Sequence, residues 1–180
     1  ACNRAGALLI LDEVQTGVGR LGTPFGADYF GVTPDLLTSA KSLGGGFPCG
    51  AVIMRNELAK DLGPGALGST FGGGPLACAA IVAVLDTIVE EGLLESVIEV
   101  SAKIRESCIV GHVTDIQGAG FLLGLRTTPP AALVRNALLD RNILAGTSGD
   151  PHILRLLPAL ILKSKHVDSL ADALQEIGDA

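Results

Sequence analysis

Four kinds of side chain in this sequence sit where they could do chemistry. Lys41 lies in "LLTSAKSLGGGFPCGAV", between an apolar run and three consecutive glycines. An amine at the edge of a buried strand is desolvated on one side, which lowers its pKa and raises the free-amine fraction that a Schiff-base lysine needs. The glycines after it would let backbone approach a flat ligand closely. Asp12 closes the apolar run of "ALLILDEV", and in open α/β sheets ligands gather at the carboxyl ends of strands. A single buried carboxylate there suits the holding of a protonated ring nitrogen, though a helix cap or a metal ligand would use the same residue. Ser69 and Thr70 in "GST" stand shortly before a helix start, where hydroxyls and free backbone N–H groups bind phosphate or cap the helix. Arg155 interrupts "HILRLLPAL". An arginine among leucines needs an anionic partner, either an internal carboxylate or the carboxylate of a substrate gripped bidentately.

Taken together these are a lysine for an aldehyde, an acid for a ring nitrogen, hydroxyls for a phosphate and an arginine for a carboxylate. That is the inventory for pyridoxal phosphate acting on an amino acid. A nucleotide-binding P-loop is the rival for "KS" and "GGG", but that pattern places its glycines before Lys-Ser and a helix after it. Here the glycines follow and a strand comes next. Glu13 adjoins Asp12, but side chains alternate along a strand, so the two point apart and make a poor two-carboxylate metal site. The three histidines, His112, His152 and His166, have no ligand spacing, and no metal is expected.

The elements that must position these residues read as α/β. Residues 7–14 form an apolar run that ends in acids, as a parallel strand buried on both faces does. A glycine-rich loop follows, then a short apolar strand from Leu36, a buried strand over 49–54 and a short helix over "RNELAKDL". Residues 68–108 are the clearest helical region, with Pro75 suited to a first turn and a new helix starting near Gly92. A smaller α/β unit then runs as "AGFLLGLR" (strand), "PPAALVRNALLDRN" (helix), "HILRLLPAL" (strand) and a final amphipathic helix from Ser164. Gly118 and Gly120 mark a tight entry into the first of these strands. The predicted division is 1–88 and 89–180, within a boundary zone at 86–92.

Composition narrows the function classes. A chain of 180 residues that is 48% hydrophobic has the means to bury a core. A net charge of -6 and 3% aromatic residues argue against nucleic acid as a partner. No apolar run is long enough to span a membrane. The four cysteines form no CxxC pair, which fits a reducing cytoplasm better than secretion and makes a zinc site a poor reading. A charged fraction of 18% is low and points to surface covered by another subunit or more chain. The chain begins at Ala1 and its only methionine is Met54, so a preceding segment is expected.

The segments "LLILDEVQTGVGRLG", "GVTPDLLTSAKSLGGGFPCGAV", "GSTFGGGPLACAAIVAVLD", "GAGFLLGL" and "HILRLLPAL", in this order, resemble the class III, ornithine-type aminotransferases of fold type I, nearest their acetylornithine branch. The resemblance covers essentially the whole chain but only the C-terminal half of the family's length: the end of the large cofactor domain, then the small domain. It implies that Asp12 pairs with the pyridine nitrogen of pyridoxal phosphate and that Gln15 contacts the phenolic oxygen of the ring. It implies that Lys41 bonds the aldehyde and then moves protons, that Thr70 binds the phosphate across a homodimer interface with Ser69 beside it, and that Arg155 holds the substrate α-carboxylate. The implied reaction is transamination between N-acetylornithine and 2-oxoglutarate in arginine biosynthesis, carried out in the cytoplasm by a longer parent. Ornithine and 4-aminobutyrate are alternative donors, and a non-catalytic binding or oligomerisation module is the alternative class. The chain alone is expected to be inactive or nearly so.

Overall fold

The structure, a computed structural model, describes residues 1–179. Ala180, the end of the sequence-predicted final helix, lies outside them. The chain divides into two compact units, the first ending at Gly92 and the second beginning at Leu93.

The first unit opens with a one-turn helix, α1 (Cys2–Ala5), ended by Gly6 in the left-handed region. Then come β1 (Ile10–Asp12), α2 (Gly26–Phe30), β2 (Leu36–Ser39), a 3-10 turn at Lys41–Gly44, β3 (Ala51–Met54), α3 (Asn56–Ala59) and α4 (Pro75–Glu90). The sheet order is β1-β2-β3. β1 runs parallel to β2, with Asp12 opposite Thr38, and β3 is antiparallel to β2. Asp35 ties the other end of this sheet together. Its carboxylate accepts the Leu9 N–H at 2.8 Å and the Arg55 guanidinium at 2.7 Å. Its backbone N–H donates to the Leu9 carbonyl, and the Arg55 N–H donates to the Asp35 carbonyl. α4 begins with Pro75 at its first position, where the missing N–H costs no helical hydrogen bond.

The structure corrects two expectations here. The strand predicted at 7–14 is only three residues long, and Leu8 and Ile10 are 55% and 58% exposed. The strand predicted as buried at 49–54 starts at Ala51, with Val52 and Ile53 half exposed. Both are edge strands of a three-stranded sheet, each with one hydrogen-bonded neighbour, so their apolar content marks faces that this unit does not itself cover.

The second unit consists of α5 (Leu93–Ser107), β4 (Val113–Ala119), β5 (Leu122–Thr127), α6 (Ala131–Leu139), β6 (Gly146–Thr147), β7 (Ile153–Leu156) and α7 (Ser164–Gly178). Its sheet order is β4-β5-β7-β6, with all neighbours antiparallel. α5, α6 and α7 bury their apolar stripes against one face of the sheet, and Val97, Ile104, Leu125, Val134, Leu154 and Leu174 are almost wholly enclosed there. β4 was not expected from the sequence. Its ladder shifts register between Val113 and Asp115, and a bulge breaks the two-residue alternation by which a strand is recognised. Gly118 and Gly120 form the tight β4–β5 connection. At Gly118, φ is +102° and a Cβ would lie 2.0 Å from the Leu122 carbonyl oxygen, so no larger residue fits. Among the described residues no helix is long and apolar enough to cross a membrane.

Candidate active site

Asp12 and Lys41 stand at the same end of two neighbouring parallel strands. Asp12 is the last residue of β1. Thr38 faces it from β2, and Lys41 follows three residues later, where β2 gives way to the 3-10 turn. One carboxylate oxygen of Asp12 is engaged, accepting the Thr38 hydroxyl and the Val14 N–H, each at 3.1 Å. The other carries no hydrogen bond among the described residues. These bonds orient the carboxylate and leave one oxygen able to accept an N–H.

Lys41 adopts φ +50°, in the left-handed region that a side chain of this size rarely occupies. Its Nζ has no hydrogen-bond or ion-pair partner among the described residues. The turn is held by the Leu43 N–H donating to Ala40 and the Gly45 N–H donating to Ser42. The glycines after it serve packing. A Cβ on Gly44 would lie 2.7 Å from the Cys49 sulfur. Gly45 combines φ +60° with a Cβ position 2.8 Å from Val84 of α4. Close approach of protein to protein therefore accounts for two of the three glycines that were read as making room for a ligand.

Both residues were expected to be shielded from water, and both side chains are exposed. β1 has a single strand neighbour, which leaves the carboxyl ends of β1 and β2 open. Gln15 is exposed on the loop just after β1. Ser69 and Thr70 are also exposed and lie five to six residues before α4 in a turn closed by the Gly72 N–H donating to the Ser69 carbonyl. The α4 N-cap is Gly74 and receives no side-chain cap, so the capping alternative for these hydroxyls is not what the structure adopts.

Arg155 belongs to the second unit. Its neighbours Leu154 and Leu156 turn into the core while Arg155 points to the opposite, exposed face. It makes no ion pair among the described residues, so the internal-partner alternative is also absent. It lines an open groove of about 1140 Å³ with Leu144, Leu157 and Ile161, the only one of the six predicted site residues to do so.

Glu13, not Asp12, is the buried acid of the "DEV" segment, at 3% exposure. Its carboxylate accepts the Gly26 N–H at 2.8 Å, the Ala27 N–H at 2.6 Å and the Thr16 hydroxyl. It fixes the path of the loop that carries Gln15. A Cβ on Gly26 would meet its oxygens at 2.9 and 3.1 Å. Alternation along the strand separates Glu13 from Asp12, but its two backbone partners lie 13 and 14 residues away and leave no local signal.

Comparison with known proteins gives the family. The family profile of aminotransferase class-III matches residues 1–177. The acetylornithine aminotransferase of Streptomyces coelicolor is 49% identical over 179 residues, covering 97% of this chain and 44% of that protein. That of Listeria innocua is 42% identical, covering 98% and 47%. The chain thus spans less than half the length of these relatives. Among solved structures, the acetylornithine aminotransferase of Elizabethkingia anophelis superimposes with a TM-score of 0.88 at 30% identity, covering 97% of this chain and 46% of that one. The ornithine aminotransferase of Toxoplasma gondii gives 0.88 and 30%, with 97% and 44% covered. The α/β fold is that of part of a fold type I transferase, and the chain belongs to the class III aminotransferases, a pyridoxal-phosphate-dependent family.

Proposed function

We propose that this chain supplies the lysine, the ring-nitrogen acid and the carboxylate-binding arginine of an enzyme that exchanges an amino group between an amino acid and a 2-oxo acid. One observation carries the reading: an unpartnered amine and a carboxylate with one open oxygen stand together at the carboxyl ends of adjacent parallel strands. This donor set fits pyridoxal phosphate, which presents an aldehyde and a ring N–H to such groups. The names of the relatives support N-acetylornithine as the amino donor, and the family resemblance adds 2-oxoglutarate as acceptor and a place in arginine biosynthesis.

Bound pyridoxal phosphate supplies an electron sink that lets the α-hydrogen of an amino acid leave as a proton. The Asp12 oxygen free of Thr38 and Val14 accepts the ring N–H and keeps that nitrogen protonated. The Gln15 amide would contact the phenolic oxygen. The Lys41 Nζ would hold the aldehyde as a nucleophile and would serve as the base for the proton on the substrate α-carbon. The Thr70 hydroxyl binds the phosphate, with Ser69 beside it, and Arg155 grips the α-carboxylate.

The proposed division is the end of the large cofactor domain over residues 1–88 and the small domain over residues 89–180, four residues before the point after Gly92 where the compact units divide. The exposed Leu76, Val82, Leu85 and Val89 on α4 support burial against more protein in a homodimeric parent. Four free cysteines suit the reducing cytoplasm.

The test is covalent capture. The chain is mixed with pyridoxal phosphate, reduced with borohydride and mapped by peptide mass spectrometry, with Lys41→Ala alongside. Attachment at Lys41 that vanishes in the variant supports the reading and warrants an assay with N-acetylornithine and 2-oxoglutarate. Attachment spread over surface lysines, unchanged by Lys41→Ala, rejects a working cofactor pocket in this chain and favours the non-catalytic alternative.

A further inference from the structure

Arg155 is flanked in its sheet by two glycines. β7 lies between β5 and β6, and the register places Gly124 on one side of Arg155 and Gly146 on the other. Residues directly opposite in an antiparallel pair send their side chains to the same face, so both glycines leave a slot beside Arg155. Glycine weakens a strand unless something requires it. Neither residue has a positive φ, so the backbone does not demand glycine at either place.

The two slots are filled differently. At Gly124 the nearest atoms to a built Cβ are Ile153 Cγ2 at 2.8 Å and Gln117 at 3.4 Å. At Gly146 they are Nε and Nη2 of Arg155, at 3.3 and 3.5 Å. The guanidinium therefore lies over β6 and not over β5. Gly146 and Arg155 both line the groove, so the direction in which the fork leaves β7 decides how it meets a ligand there.

We propose that Gly146 is a positioning residue for Arg155: its missing side chain is the bed on which the guanidinium lies, and it sets the angle at which Arg155 receives a carboxylate. The inference rests on the reading of Arg155 as a carboxylate receptor. A bidentate grip depends on the orientation of the planar fork. A methyl group on Gly146 makes the guanidinium give way by a few tenths of an ångström, and an isopropyl group evicts it.

The experiment titrates the ¹⁵N-labelled full chain with 2-oxoglutarate and follows the Arg155 Nε–Hε resonance, identified by its loss in Arg155→Lys. Binding is read from this resonance and, for Arg155→Lys, from the backbone amides of the groove. Geometry is most demanding near a bidentate contact, so Gly146→Ala is expected to weaken binding about threefold and Gly146→Val about tenfold or more. The thermal midpoint is expected to hold or rise, because a β-branched residue favours a strand. A merely structural glycine would lower both together, and that result overturns the proposal. Gly146→Val binding like the wild type, while Arg155→Lys loses binding, overturns the role of Gly146 and leaves the carboxylate reading standing. No response in the wild type, or undiminished binding by Arg155→Lys, overturns that reading and this inference with it.

Discussion

The two units of this chain use similar proportions of apolar residue in opposite ways. The second wraps its sheet with three helices into a continuous core in which Val97, Leu125, Leu138 and Leu154 have no measurable exposure. In the first, the buried apolar residues are Val18, Leu21, Ala27, Leu37, Leu43 and Ile88, while Ile10, Val52, Phe71 and Val89 lie open to water. Burial of apolar area is the main favourable term in folding, so the second unit has its own source of stability and the first has much less. Yet the first carries Asp12, Gln15, Lys41, Ser69 and Thr70. Residues that work on a ligand must be reachable, and the five proposed for that work sit where the fold closes least tightly.

The sharpest way to break this contrast is a paired truncation. Leu125→Ala in the second core is expected to cost about 2–5 kcal/mol, whereas Ile10→Ala on the open strand is expected to stay within about 0.5 kcal/mol. Denaturant titration of both variants decides it. A large loss at Ile10 would mean that β1 is covered in solution, for instance by a second copy.

Glu13→Gln probes the buried polar cluster of the first unit. The amide has a single acceptor oxygen where the carboxylate used two, so about 1–3 kcal/mol of local stability is expected to go. Hydrogen exchange should quicken at Gly26 and Ala27 while the amides of β5 and β7 keep their protection. Uniform acceleration in both units would show that they unfold as one.

Ser39→Ala should move in the opposite direction. The Ser39 hydroxyl is buried in β2 without a hydrogen-bond partner among the described residues, and nothing in the structure explains it. Its removal is expected to be neutral or to stabilise the first unit by up to about 1 kcal/mol. A loss instead would reveal a partner for the hydroxyl.

The smallest effect is a pH dependence. The Leu9 N–H and then Arg55 hold the Asp35 carboxyl below the ordinary aspartate value. A depressed folded-state pKa adds stability that is fully present above the unfolded value, about 3.9, and is lost as pH falls through the lower folded value. Acid titration of Asp35→Asn should therefore show a shallower loss in the first unit below about pH 4. An unchanged acid limb would place the sensitivity in other carboxylates, such as Asp150, which the His152 N–H and Arg126 hold down in the second unit.

Legibility in the sequence followed the range of the interactions involved. Pro75 at a helix start, the helix from near Gly92, the parallel run into Asp12 and the arginine interrupting an apolar strand are local patterns, set by backbone sterics and by the two- or 3.6-residue repeat. The motif order around "DEVQ" and "AKSLGGG" was enough to reach the family. Exposure was not legible, because an apolar run looks the same whether its own chain covers it or not. That is why the strands at 7–14 and 49–54 and the surroundings of Lys41 read as more buried than they are.

Three features were decided only in the tertiary structure. The three hydrogen bonds to Glu13 include two that close loops of 13 and 14 residues. The glycines after Lys41 answer to Cys49 and Val84. Gly146 matters because the register of β6 on β7 puts it beside Arg155. Residue type and order determined which chemical groups this chain owns and which elements carry them. Which groups meet, and what each glycine makes room for, depended on contacts between residues far apart in sequence, which have no spacing rule and exist only once the chain is packed.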